Sequence, residues 1–265
     1  MTRKPKLGVF KFASCDGCQL SLLDAEADLL GVAQAVDIAY FLEATSRIEP
    51  GPYDIALVEG SVTTEHDQKR IQQIRADSNL LVTIGACATS GGIQALRNWA
   101  DCDDFVRSVY AHPEYIQTLT TSTAISDHVA VDFELRGCPV NQKQLTEVIR
   151  SLLGGRIPRT PVHSVCMDCK QSGAVCVVVA QGKPCLGPVT QGGCGVICPA
   201  YDRGCYGCFG PSYQANMESL SDTLLQIGVD SHQQIQSLRS FNSAAAAFQQ
   251  SSDRLERSSE EKMHD

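Results

Sequence analysis

The chain has 265 residues, 43% of them hydrophobic, and a net charge of −8. That length accommodates one large domain, or a main domain with appendages, around a sizeable core. The negative balance disfavours nucleic acid, whose phosphates want a basic face, and the longest apolar runs, such as residues 174–180, are far too short to cross a bilayer.

Residues 7–12 form a short apolar run that fits a buried strand. Residues 19–30 follow with helical periodicity, Leu20, Leu22, Leu23, Leu29 and Leu30 falling mostly on one side. Residues 36–41 and 54–58 read as strands, the second ending at Glu59-Gly60-Ser61. Residues 64–76 are polar and helix-prone, with Thr64 as the N-cap. Further strands are expected at 80–84, ending at Gly85, and at 129–135, followed by Gly137-Cys138-Pro139. Residues 141–153 carry the pattern of an amphipathic helix, stopped by Gly154-Gly155. Strands alternating with helices over residues 1–155 imply an α/β domain, a doubly wound parallel sheet covered on both faces. Residues 156–211 are rich in Cys, Gly and Pro and lack a helical period. So short a segment builds no large core, and bound metal is expected to hold it together. Residues 212–265 read as a tail with helices at 217–227 and 235–248 and a polar end, 252–265, expected to fray.

The cysteines are the strongest signal. There are 13, and eight of them lie between Cys166 and Cys208. The opening Thr2-Arg3-Lys4-Pro5-Lys6 leads into a brief apolar stretch interrupted by Lys11, without the long apolar region of a secretory signal. A cytoplasmic location is therefore expected. Thiols stay reduced there, so dense cysteine points to metal ahead of disulfides. Four cysteines make one cubane iron–sulfur site, because soft thiolates suit iron. Cys15 and Cys18 follow the first strand, Cys87 the strand ending at Ile84, and Cys138 the last one. Loops after parallel strands gather at one edge of the sheet, where ligands collect, so these four are expected to converge. Taken alone, Cys15-Asp16-Gly17-Cys18 also suits a redox dithiol or a structural zinc site.

In combination, Cys15-Asp16-Gly17-Cys18, Glu59-Gly60-Ser61, Gly85-Ala86-Cys87-Ala88 with Gly91-Gly92, and Gly137-Cys138-Pro139 resemble the small subunit of NiFe hydrogenases. The resemblance implies a flavodoxin-like domain in which Cys15, Cys18, Cys87 and Cys138 hold a proximal 4Fe–4S cluster, nearest the NiFe centre of a large subunit. Glu59 matches the glutamate of that family's turn. It either lies near the cluster and the partner interface, or is simply a capped turn residue.

The later cysteines continue the resemblance with departures. Cys185-Leu186-Gly187-Pro188 is similar to a Cys-x-Gly-Pro element of those subunits, and Cys205-Tyr206-Gly207-Cys208 to a late Cys-x-Gly-Cys. Many relatives use one histidine on the distal cluster and three cysteines on a medial 3Fe–4S centre. This chain has more thiols, Cys169 and Cys198 being the extras. The resemblance thus implies a ferredoxin-like, cysteine-rich domain with a medial 4Fe–4S cluster on Cys194, Cys198, Cys205 and Cys208. The distal cluster would use Cys166, Cys169, Cys176 and Cys185. His163, three before Cys166, stands where a histidine ligand is expected and takes a supporting place. Ligands cross between clusters in two-cluster ferredoxins, so the partition stays open. Cys102 matches no motif and reads as a buried or surface thiol.

The implied role is to pass electrons singly through three clusters between a NiFe-bearing large subunit and an acceptor-reducing subunit linked to NAD(P), a deazaflavin or a heterodisulfide reductase. No GxGxxG fingerprint appears at a strand–helix junction, so no nucleotide is expected on this chain. Three other readings remain: a complex I-type small subunit, a free-standing ferredoxin-like carrier, and a zinc-stabilised interaction module.

Overall fold

In a computed structural model, which describes residues 3–264 and the side chains of all of these except 27, 29 and 262–264, the chain divides into units Met1–Arg159 and Thr160–Asp265. The first unit is built on strands β1 (Lys6–Lys11), β2 (Asp37–Phe41), β3 (Tyr53–Glu59), β4 (Ser78–Ile84) and β5 (Phe133–Leu135). They form one all-parallel sheet in the order β2-β1-β3-β4-β5, which is the flavodoxin-like order. The near-continuous apolar run of β3 follows from burial on both faces. Leu7, Val9, Ile55, Leu57, Val82 and Ile84 point to one face, where they meet Leu145, Val148 and Ile149. Phe10, Ala56, Val58 and Leu81 point to the other, against Ile71 and Ile74.

The helices of this unit are α1 (Gly17–Leu23), α2 (Glu26–Ala35), α3 (Glu65–Ala76), α4 (Gly85–Ser90), α5 (Cys102–Val109) and α6 (Gln142–Leu153). Thr64 caps α3 as expected: its hydroxyl accepts from the Asp67 N–H at 3.0 Å, and the Asp67 carboxylate accepts from the Thr64 N–H at 3.1 Å. Asn141 caps α6 through its side-chain oxygen, which accepts the Gln144 N–H. The single helix expected over 19–30 is instead two, parted at Asp24-Ala25. Its leucine stripe splits accordingly, with Leu22 buried and Leu20 and Leu30 exposed; the Leu29 side chain lies outside the described residues. The last strand is also shorter than the run 129–135 suggests. The Asp132 carboxylate accepts the Leu81 N–H at 2.7 Å, so pairing with β4 starts only at Phe133. Val129 and Val131 pack against the core instead.

The second unit holds α7 (Val165–Ser172), α8 (Val177–Gln181), α9 (Ile197–Ala200), α10 (Met217–Gln226), α11 (Ser231–Leu238) and α12 (Ala246–His264). The cysteine-rich segment thus contains three short helices where no helical period is legible. Isolated bridges, Ser164 to Gln191 and Thr190 to Pro211, tie its loops together. Its apolar residues Leu186 and Val189 share a cluster with Leu220, Leu224, Val229, Leu238 and Phe248 from the helices that follow. The helix expected over 235–248 breaks after Leu238, and the end expected to fray is helical to His264; Asp265 lies outside the described residues. Arg239 accounts for much of this, bonding Asp253 at 2.8 Å and Glu256 at 2.9 Å. Among the described residues, no helix is long and apolar enough to cross a membrane.

Candidate metal centres

Strand order places β2 and β3 on opposite sides of β1, so the crevice outside the carboxyl ends of β1 and β3 is the topological switch point. Cys15 and Cys18 leave β1 there, beside the turn Glu59-Gly60-Ser61 that leaves β3. Cys15 lies in the connecting loop, whereas Cys18 sits in the first turn of α1, and Cys87 lies inside α4, which starts directly at the end of β4. The expectation that all four cysteines lie in loops is therefore corrected for Cys18 and Cys87. Backbone bonds lace the segments together. Ala13 and Ser61 pair as a bridge, and the Ala86 N–H donates to the Gly137 carbonyl at 2.8 Å. The Gln94 amide donates to the Ala13 carbonyl at 2.7 Å while its oxygen lies 3.4 Å from the Cys87 Sγ.

Three of these thiols are raised by this setting. Burial pushes the Cys18 thiol well above its ordinary range, and the charges of Glu59, Cys87 and Cys138 raise it further. Burial likewise takes Cys87 up to about 11, with Cys138, Cys15 and Glu59 adding to it. Cys138 is raised by burial, then by Cys15 and Glu59. A cationic core would offset the burial that raises Cys18, Cys87 and Cys138, and would bind such thiols as thiolates. Soft sulfur in a set of four is the donor chemistry of an iron–sulfur cubane. Residues as distant in sequence as Cys15 and Cys138 are thus drawn to one sheet edge.

Glu59 is buried at 2% exposure. Its carboxylate accepts the Cys18 N–H at 3.0 Å and the Gln19 side-chain amide at 2.8 Å. Burial raises its pKa, and those two donors oppose the rise. The carboxylate thus ties the end of β3 to the start of α1, where Cys18 lies. Lys11 and Asp16 form an ion pair at 2.5 Å on the rim of the same loop.

In the second unit, Cys166 and Cys169 lie on α7, Cys176 caps α8, Cys198 lies in α9, and Cys185, Cys194, Cys205 and Cys208 lie in the connecting turns. Burial raises Cys166, and Cys185 and Cys176 add to it. Cys169 is pushed up to about 11 by burial, then by Cys166, Cys185 and Cys194. Burial and Cys194 raise Cys198, with Arg203 opposing and Cys185 adding. Cys205 reaches about 12 through burial, with Cys185 and Cys208 contributing. Around Gly187, the Cys185 and Cys166 sulfurs and the Cys205 Cβ lie within 3.2–3.7 Å of where a Cβ would stand. The Cys185 Sγ accepts the Cys205 N–H at 3.1 Å and the Gly187 N–H at 3.4 Å. Among the described residues, no three Cys, His, Asp or Glu side chains gather tightly enough to clasp a single metal ion.

His163 bonds Asp168 at 2.6 Å. The other Asp168 oxygen accepts the Gly193 N–H at 2.8 Å, and the His163 carbonyl accepts the Gly192 N–H at 2.8 Å. The histidine therefore braces the turn before Cys194. Cys102 stays apart at the start of α5, its thiol 3.8 Å from the Leu119 carbonyl. Gln19, Gln94 and Asp168 are site residues that no motif announces; each acts through a partner distant in sequence or through a turn formed only on folding.

Residues 15–152, a span that begins and ends around these motifs, match the family model described as NADH ubiquinone oxidoreductase, 20 Kd subunit. The chain belongs to this family. It is 36% identical over 222 residues to the sulfhydrogenase 2 subunit delta of Pyrococcus furiosus, covering 84% of this chain and 93% of that one. A vhu subunit of the F420-non-reducing hydrogenase from Methanocaldococcus jannaschii is 31% identical over 239 residues, covering 79% and 83%. Among solved structures, one chain of an NAD+-reducing [NiFe]-hydrogenase in the H2-reduced state superposes with a TM-score of 0.56 at 30% identity, over 60% of this chain and 96% of that one. A [NiFeSe]-hydrogenase chain of Dm. baculatum, 15% identical with a TM-score of 0.57 over 84% and 99%, shares the fold. The likeness to hydrogenase subunits carried by the cysteine and glycine motifs agrees with these relatives.

Proposed function

We propose that this chain is the electron-transfer subunit of a NiFe hydrogenase, working in the cytoplasm. It carries electrons singly between the NiFe centre of a large partner subunit and an acceptor-reducing partner, through three 4Fe–4S clusters. The observation that supports this reading is the gathering of the segments bearing Cys15, Cys18, Cys87 and Cys138 at the switch-point edge of the sheet, laced by the Ala13–Ser61 bridge and by the bonds from Ala86 to Gly137 and from Gln94 to Ala13. Its relatives being hydrogenase subunits supports the same reading.

In this proposal residues 1–155 hold the proximal cluster, residues 156–211 the other two in ferredoxin-like fashion, and residues 212–265 form a helical tail. Cys194, Cys198, Cys205 and Cys208 would take the medial cluster, and Cys166, Cys169, Cys176 and Cys185 the distal one. A bound cubane supplies one-electron chemistry, its potential set by charge, burial and hydrogen bonds to sulfur. The protein's own contribution is to fix those conditions. Glu59 pins the Cys18 turn, Gln94 ties α4 to the β1 loop, and the N–H groups of Cys205 and Gly187 aim at the Cys185 sulfur. No nucleotide site is assigned to this chain; the acceptor linked to NAD(P), a deazaflavin or a heterodisulfide reductase belongs to a further subunit.

The test is to purify the chain with its native partners without air, count metals, and assay dye reduction under hydrogen. About twelve irons on this chain, four per centre, with nickel on the partner, is the expected result. Cys87→Ser should abolish turnover while the spectra of the later clusters persist. A colourless, zinc-containing chain, or full turnover by Cys87→Ser, would refute the proposal.

A further inference from the structure

The helical tail touches the cysteine-rich segment at one place that carries chemistry. Asn242, 2% exposed, lies in the break between α11 and α12, and its side-chain amide donates to the Gly207 carbonyl at 2.9 Å. Gly207 stands between Cys205 and Cys208. Phe248, 1% exposed, comes from the first turns of α12 and covers the same residue: a Cβ built on Gly207 would lie 3.2 Å from the Phe248 ring and 3.1 Å from Leu186. The Ser240 hydroxyl reaches the Tyr206 carbonyl at 3.5 Å. From the other side, the Leu186 N–H donates to the Cys205 carbonyl at 3.0 Å, and Gly207 donates to the Cys205 Sγ at 3.5 Å.

The break that presents Asn242 is itself held. Arg239 opens it, with only 10% of its side chain exposed, and bonds Asp253 and Glu256 two and three turns along α12. This long-range bonding ties the end of α11 to α12 across the break. A buried amide and a buried ring aimed at one glycine between two ligands are more than a solubilising tail requires.

We infer that residues 239–248 are a working wall of the metal site, Asn242 and Phe248 acting as positioning residues that hold the Cys205–Cys208 turn closed and dry around the cluster it binds. This rests on the electron-transfer reading above. Partners outside the ligand shell commonly change metal affinity by about 10–100-fold, because they fix the orientation of the ligands and the access of water. Phe248 excludes solvent, and Asn242 fixes the carbonyl of Gly207, the residue whose own N–H faces the Cys205 sulfur; both conditions bear on cluster potential.

The test uses the air-free native complex carrying Asn242→Ala, Phe248→Ala or Phe248→Leu. Iron release to a chelator, redox titration followed by electron paramagnetic resonance, and thermal melting are read for each. Both alanine variants should release iron from one cluster about 10-fold faster or more and shift the potential of that cluster. The signal dependent on Cys15, Cys18, Cys87 and Cys138 should titrate as in the unaltered complex. Phe248→Leu, which keeps an apolar cover, should stay close to the unaltered complex. Unchanged release and potentials in the alanine variants, even with a lowered melting temperature, would overturn the inference. If Phe248→Ala does not fold, Asn242→Ala decides by the same readouts. An iron-free unaltered complex would instead bring down the electron-transfer reading and this inference with it, an outcome distinct from an iron-loaded complex indifferent to the variants.

Discussion

Replacing Gly85 with alanine perturbs the proximal set at one atom. Gly85 has φ +88, and a Cβ built on it lies 2.4 Å from the Cys18 Sγ. Two costs follow. A non-glycine residue in left-handed backbone costs about 1–2 kcal/mol, and overpacking a filled site costs about 1–3 kcal/mol, so Gly85→Ala should destabilise the chain by about 2–5 kcal/mol. Gly155→Ala separates the two: its φ is +64, but nothing lies within 4 Å of the new methyl, so only the backbone cost of about 1–2 kcal/mol applies. The assay is urea unfolding of both variants at constant slope, together with iron per chain. Gly85→Ala should fall further than Gly155→Ala and lose iron at the first site, because the displaced sulfur is one of the four proposed ligands. Equal midpoints with full iron in both would refute the reasoning that Gly85 is empty to make room for the Cys18 thiol.

Glu59→Ala leaves the Cys18 N–H and the Gln19 amide without their buried acceptor, and should cost about 1–3 kcal/mol in unfolding free energy; Glu59→Gln, which keeps a carbonyl acceptor, should cost less. Asp168→Ala releases both His163 and the Gly193 N–H, and iron held by the second unit should leave faster to a chelator, by about 10-fold or more, while the first site keeps its rate. The Glu256 carboxyl is held below its ordinary range by its bond to Arg239. A depressed carboxyl contributes stability above its unfolded pKa and loses it as pH falls through the folded value. Stability of the tail should therefore decline on acidification below about pH 4.5, the ordinary carboxylate range, and Glu256→Gln should flatten that decline in melts taken across pH.

Much of the first unit is legible in the sequence because its signals are local. Strands buried on both faces must be apolar throughout, so β1, β3 and β4 announce themselves, and Thr64 and Asn141 cap helices through atoms three residues away. Parallel strands force their following segments to one edge, so Cys15, Cys18, Cys87 and Cys138 could be grouped before any coordinates. The later thiols are legible as a set, yet the N–H groups of Cys205 and Gly187 that meet the Cys185 sulfur are not.

The alternation of elements, the edge at which the first four thiols gather, and the family to which their motifs belong were all written in the order of residues. Other features emerged only with the folded chain: where α1 gives way to α2, that β5 begins at Phe133, and that the tail breaks at Arg239 and stays helical to His264. The same holds for Asp168, Gln94 and Asn242, whose bonds to the cysteine-bearing turns no motif foretold. One physical cause covers these cases. Periodicity and capping record interactions between near neighbours in the chain, whereas these boundaries and braces are set by hydrogen bonds to partners that become neighbours only when the core closes.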